Sequence, residues 1–134
     1  MVILAQQAAF PVILMIEFIR ADHFHICVPL ERLEEARKFY AEVIGLKEIF
    51  RPDVFGAEGH WFDISNVQLH IGVESTLPRS IRHTALEVKD INLAKEHLKR
   101  QGVEISEEAV IPGRERFSFF DPFGNRMELL QIIK

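Results

Sequence analysis

The chain has 134 residues, 48% hydrophobic and 27% charged, which is enough to bury one core and too few for several domains. Its net charge of −4, with no stripe of Lys and Arg alternating with aromatics, gives no electrostatic case for a nucleic-acid partner. Cys27 is the only cysteine, so no intrachain disulfide forms, and a reducing, cytoplasmic setting is the expectation.

Residues 1–16 are apolar, but they are too short for a bilayer span and are interrupted by Gln6, Gln7 and Pro11. No basic residue precedes Arg20, as a signal peptide would require. The segment reads as a disordered or loosely docked tail ahead of a single domain at residues 17–134, with no membrane partner. From Ile16 to Val28 the pattern is strand-like, with β-branched and aromatic residues. Alternation puts His23, His25 and Cys27 on one face and Phe24, Ile26 and Val28 on the other. Glu31 to Ile44 has helical spacing, with Leu33, Ala36, Phe39 or Tyr40, Val43 and Ile44 on one side and Gly45 as its stop. Lys47–Phe50, Trp61–Ile64 and Val67–Val73 read as strands, the last with Gln68 and His70 opposite Leu69 and Ile71.

The cycle then restarts. His83–Val88 is a strand, Asp90 caps a helix that runs to about Gln101, and Gly102 stops it. Val103–Ile105, Phe117–Phe120 and Arg126–Ile133 are strands, with a turn at Asp121–Asn125. Arg114 and Arg116 fall in the loop after Pro112-Gly113, where they are either solvated or hold an anionic group. His60 reads as a loop or rim residue, and His97 as a surface residue of the second helix. Each half therefore has the order β-α-β-β-β, at about residues 17–76 and 80–134. The fold class is α+β, with two four-stranded sheets, helices on one face and the other face lining a cleft.

The repeat matters for chemistry because each half opens and closes on a metal-ligand type. His23 and His70 are 47 residues apart, and His83 and Glu128 are 45 apart. An internal repeat fixes architecture before any local motif does. Three imidazoles and a carboxylate suit one divalent Ni, Zn, Mn, Co or Fe ion, whereas Ca and Mg prefer oxygen alone. His25 shares the His23 face, either as a proton carrier or substrate contact or as a hydrogen-bonded lining residue. Cys27 reads as packing.

These motifs resemble the vicinal oxygen chelate superfamily, which includes glyoxalase I, bleomycin-resistance proteins, fosfomycin-resistance transferases and extradiol dioxygenases. The carriers are His23-x-x-Ile26-x-Val28, Phe39-Tyr40 with Gly45-Leu46, Gln68-Leu69-His70-Ile71, His83-x-x-Leu86-x-Val88 and Asp121-Pro122-Phe123-Gly124-Asn125-Arg126-Met127-Glu128-Leu129. The resemblance implies a cupped, mixed eight-stranded sheet around one divalent metal, often in a homodimer, with His23, His70, His83 and Glu128 at the ligand positions. In glyoxalase I the position of His70 is typically Glu. The implied activity is a metal-dependent lyase or isomerase that binds a small vicinal-oxygen substrate and passes through an enediolate-like intermediate, with Glu128 or His25 moving the proton. Arg114, Arg116, Arg126 and Trp61 are the candidate substrate contacts. The alternatives are a metal-free drug-binding protein of bleomycin-resistance type and a Mn-dependent thiol transferase of fosfomycin-resistance type.

Overall fold

Alternation along the first strand decides how the chain folds over its core. In the computed structural model, which describes residues 16–75 and 78–134, strand β1 is His23–Val28. Ile26 and Val28 are buried while His23 and His25 are exposed, as period-2 alternation requires. The strand is shorter than expected, because Ile16–Asp22 is exposed, irregular backbone. The tail expected over residues 1–16 lies outside the described residues except for Ile16.

The first helical segment is a composite rather than one α-helix. A 3-10 turn at Leu30–Arg32 leads into α1, Leu33–Lys38, and a π-helical stretch follows at Phe39–Val43. The wider turn lets Ile44 N–H donate to the Phe39 carbonyl at 3.0 Å and keeps Phe39 and Tyr40 both buried. Gly45, at φ +88°, takes the left-handed position, and Leu46 N–H closes the helix end on the Tyr40 carbonyl. Strands β2 (Lys47–Ile49), β3 (His60–Ile64) and β4 (Val67–Val73) complete the first module. His60 thus begins a strand rather than lying in a loop, and its Nδ1 meets Glu48 Oε2 at 2.9 Å.

The second module repeats the order with β5 (His83–Glu87), α2 (Ile91–Arg100), β6 (Ser106–Glu107), β7 (Arg114–Phe120) and β8 (Arg126–Ile132). Asp90 caps α2 as expected, accepting from the Asn92 and Leu93 N–H groups. Two strand boundaries differ from expectation. Val103–Ile105 does not pair, because Val103 N–H is used to close α2 on the Leu98 carbonyl and both apolar side chains pack against the core. The short strand falls at Ser106–Glu107 instead. Strand β7 starts at Arg114, since its ladder with β8 extends to the pair Arg114 and Ile132. Arg114 and Arg116 are therefore strand residues, not loop residues.

The strands form two four-stranded sheets, ordered β1-β4-β3-β2 and β5-β8-β7-β6, each with one parallel pair at its edge and antiparallel pairing elsewhere. Leu33, Ala36, Tyr40, Ile91 and Leu98 cover one side together with Phe62, Leu69, Phe117 and Met127. Tyr40 Oη donates to Asp121 Oδ2 at 2.6 Å, Asn125 Nδ2 donates to the Cys27 carbonyl at 3.2 Å, and Arg32 Nη1 donates to the Pro122 carbonyl at 3.1 Å. His97 is not a plain surface residue. Its Nε2 meets the Val43 carbonyl at 2.7 Å, so it satisfies the end of the other module's helix.

Candidate functional site

The uncovered faces of the two sheets carry the polar residues, and the parallel pairs place them in matching registers. His23 lies beside Gln68, two residues before His70, and His83 lies beside Arg126, two residues before Glu128. Each opening histidine therefore sits diagonal to the closing candidate of its own module. In the first module the His23 and His70 rings stack with centroids 3.9 Å apart. In the second, His83 Nε2 is 3.3 Å from Glu128 Oε1. The four candidates thus form two pairs, one per sheet. Among the described residues of one chain, no three His, Cys, Asp or Glu side chains converge as a metal cluster would need.

The surroundings of each imidazole fit a metal donor. His83 Nδ1 lies 2.9 Å from the Ile81 carbonyl, a contact in which it donates, so the Nε2 lone pair is left on the Glu128 side, where two acceptors side by side suit a shared cation. His23 Nδ1 is anchored in the same way on Asp22 Oδ2 at 2.9 Å. A carbonyl or carboxylate behind the distal nitrogen fixes tautomer and ring orientation in metal-ligating histidines. His70 Nε2 faces Gln68 Oε1 at 2.9 Å. Burial, and then the neighbouring His23 and His25, hold the His70 imidazole below the usual histidine range, which favours the neutral, donor-competent ring. Glu128 is buried, and its Oε1 also meets Arg116 Nη1 at 3.3 Å, so a positive charge already lies where a cation would be favoured.

Trp61, expected as a substrate contact, lies across from His70 on β3 and stacks on it, with centroids 3.8 Å apart and planes within 3°. Trp61, His70 and His23 make one continuous pile of rings. Phe55 leans on Trp61 at 5.8 Å, and the Arg51 guanidinium sits over Phe55 at 4.9 Å. This pile fixes the plane of His70 on both sides. His25 lies across Gly72, where an added Cβ would come within 2.6 Å of its Nε2, so only glycine leaves room for the ring. Its Nδ1 is 3.7 Å from Cys27 Sγ, and burial followed by the Glu74 charge pushes that thiol above its usual range. Cys27 therefore stays protonated, in keeping with a lining role.

A cleft of about 590 Å³ runs between the modules and is lined by His25, Cys27, Arg82, His83, Asn125 and Arg126. Arg126 and Arg116 are both engaged within the chain. Arg126 Nη2 donates to Glu108 Oε2 at 2.9 Å, and Arg116 reaches Glu128 and the Ala109 carbonyl. Arg114 lies at the exposed start of β7. Sequence reasoning missed Asp22, Gly72, Ser118 and Glu108. Asp22 and Gly72 were open to inference from their positions next to His23 and two residues past His70. Glu108 carried no local signal, being 18 residues from its arginine.

No helix among the described residues is long and apolar enough to cross a membrane. The sequence profile of the Glyoxalase/Bleomycin resistance protein/Dioxygenase superfamily matches residues 21–129. A solved glyoxalase family protein from Bacillus anthracis is 38% identical, covers 89% of this chain and all of its own, and superposes with a TM-score of 0.81. TnmS3, an antibiotic binding protein from Streptomyces sp. CB03234, is 22% identical over 89% of this chain and all of its own, with a TM-score of 0.72. The fosfomycin resistance protein FosX from Listeria monocytogenes, complexed with Mn(II) and sulfate, is 20% identical over 89% of this chain and 93% of its own, with a TM-score of 0.70. The last two likenesses are of fold alone. The profile match over most of the length, joined to the 38% identity and the paired βαβββ modules, means that the chain belongs to the glyoxalase/bleomycin resistance protein/dioxygenase superfamily.

Proposed function

We propose that the chain is a divalent-metal-dependent lyase or isomerase of glyoxalase type, acting on a small substrate with vicinal oxygens. One observation carries the reading: both modules hold a donor pair at the same register, each with an imidazole pinned through its distal nitrogen. Members of the superfamily generally hold a divalent metal, bind small molecules and often form dimers. His23, His70, His83 and Glu128 would hold Ni, Zn, Mn, Co or Fe. A bound ion would polarise the substrate oxygens and acidify the adjacent C–H.

The pairs sit on separate sheets, so a second copy of the chain completes the centre. The first-module pair of one protomer meets the second-module pair of its partner. His25, seated on Gly72 and on the same strand face as His23, carries the proton together with Glu128. Arg116 and Arg126 are engaged by Glu128 and Glu108, which disfavours the thiol-transferase alternative, since that activity needs cations open to a phosphonate.

The test is metal content by mass spectrometry on wild type and His83→Ala, each incubated with Ni, Zn, Mn, Co and Fe(II) and then desalted. About one ion per chain in wild type, with clear loss in the variant, is the expected result for a ligand set of this kind. No retained ion under any condition would overturn the metalloenzyme reading in favour of a metal-free drug-binding protein.

A further inference from the structure

One buried and one half-buried donor on the open face of the second sheet are both met by the chain's own carboxylate. Ser118 is buried on β7, opposite Glu128 in the ladder. Its Oγ donates to Glu108 Oε2, and Arg126 Nη2 donates to the same oxygen at 2.9 Å. Arg126 and Glu108 are only 18% and 17% exposed. Arg126 Nη1 also donates to the Ile81 carbonyl at 3.2 Å and lies 3.3 Å from His83 Nδ1, so the guanidinium is fixed beside the candidate metal donor. Arg116 Nε and Nη2 hold the Ala109 carbonyl at 3.2 and 2.9 Å. Residues 108 and 109, between β6 and β7, are thus strapped onto this face at two points.

A hydroxyl and a guanidinium converging on one oxygen form a cradle for a carboxylate, phosphonate or phosphate. Glu108 occupies it. The hydrogen bond from Ser118, and then that from Arg126, hold the Glu108 carboxyl below the usual range, so the occupant is an anion at neutral pH. An anion from solution must displace a tethered competitor whose effective concentration is in the millimolar range or above. It must also leave the displaced Glu108 charge without its partners.

We infer that Glu108 is a specificity-determining residue: it fills the Ser118–Arg126 anion subsite, so that the cleft refuses anionic substrates and takes neutral ones. The inference rests on the proposed reading of the His83–Glu128 face as the substrate side.

The experiment titrates methylphosphonate and inorganic phosphate into wild type, Glu108→Ala and Glu108→Gln by calorimetry, with Glu108→Ala/Arg126→Gln as control. Metal content is measured on the same samples. Wild type is expected to give no saturation in the low-millimolar range, and Glu108→Ala to bind at least about tenfold more tightly, the scale of one charge-assisted contact. The double variant, at a metal content equal to that of Glu108→Ala, is expected to lose that gain, which excludes anion binding at the metal as its source. Glu108→Gln, which keeps the side-chain shape, carries the test if the alanine variant misfolds, and is also expected to gain affinity. Wild type that binds either anion as tightly as the variants overturns the inference. So does the absence of a gain in both folded variants, or a gain that survives loss of Arg126. Absence of metal in all samples would instead count against the metalloenzyme reading and leave the anion comparison intact.

Discussion

Removing one hydroxyl from Tyr40 tests the link between the modules. Tyr40 and Asp121 are 0% and 1% exposed, and the Tyr40 hydroxyl donates to Asp121 Oδ2 at 2.6 Å. Asp121 also accepts from Phe123 N–H, Asn125 N–H and Asn125 Nδ2, all within 2.9 Å. Tyr40→Phe keeps the ring and opens almost no cavity, so the cost is the lost bond to a charged acceptor. Such bonds contribute about 1.5–3 kcal/mol, and three remaining donors place this one near ~2 kcal/mol. For a domain of this size that lowers Tm by roughly 6 °C. Burial, and next the Asp121 charge and hydrogen bond, push the Tyr40 phenol well above its usual range. A raised folded-state pKa means that the contribution is whole below the unfolded value near 10. Above it the unfolded state ionises first, and wild type loses up to about 1.4 kcal/mol per pH unit. Tyr40→Phe has no such loss, so the gap between the two proteins narrows to about 0.6 kcal/mol at pH 11. Urea denaturation at fixed chain concentration, at pH 7, 10 and 11, measures both effects. Equal midpoints at pH 7, or a gap that persists unchanged to pH 11, would refute the reasoning.

Asp90→Ala removes the cap of α2 and is expected to lower stability by about 1 kcal/mol in urea titrations; an unchanged midpoint would mean that the two N–H groups find other partners. Gly72→Ala puts a methyl where the His25 ring lies, and the ring can swing away, so stability changes by less than about 1 kcal/mol. The His25 resonances in NMR spectra should nevertheless move, and spectra matching wild type would contradict the seat described for that ring. Trp61 is the only tryptophan and stacks on His70. Adding Ni(II) or Mn(II) is therefore expected to quench its fluorescence in step with metal uptake, and stoichiometric uptake with unchanged emission would remove His70 from the ligand set.

The sequence by itself determined the repeat, the strand faces and the helix stops, because these depend on local periods and single-residue geometry. His23 and His25 share a face because side chains alternate along a strand, whatever the rest of the chain does. Asp90 caps α2 and Gly45 ends the first helical segment for equally local reasons. Tertiary structure decided what those faces meet. Val103 and Ile105 looked like a strand because burial against the core and pairing in a sheet both select β-branched residues, and only packing distinguishes the two. Arg116 and Arg126 looked available to a ligand, yet Glu128 and Glu108, 12 and 18 residues away, engage them through the β7–β8 ladder and the strap before it. Trp61 became a clamp on His70 because the β3–β4 register puts the two rings opposite each other. The four candidate ligands fall on two sheets as two pairs, a division set by how the modules pack, since the spacing within each module is the same whether or not the pairs meet.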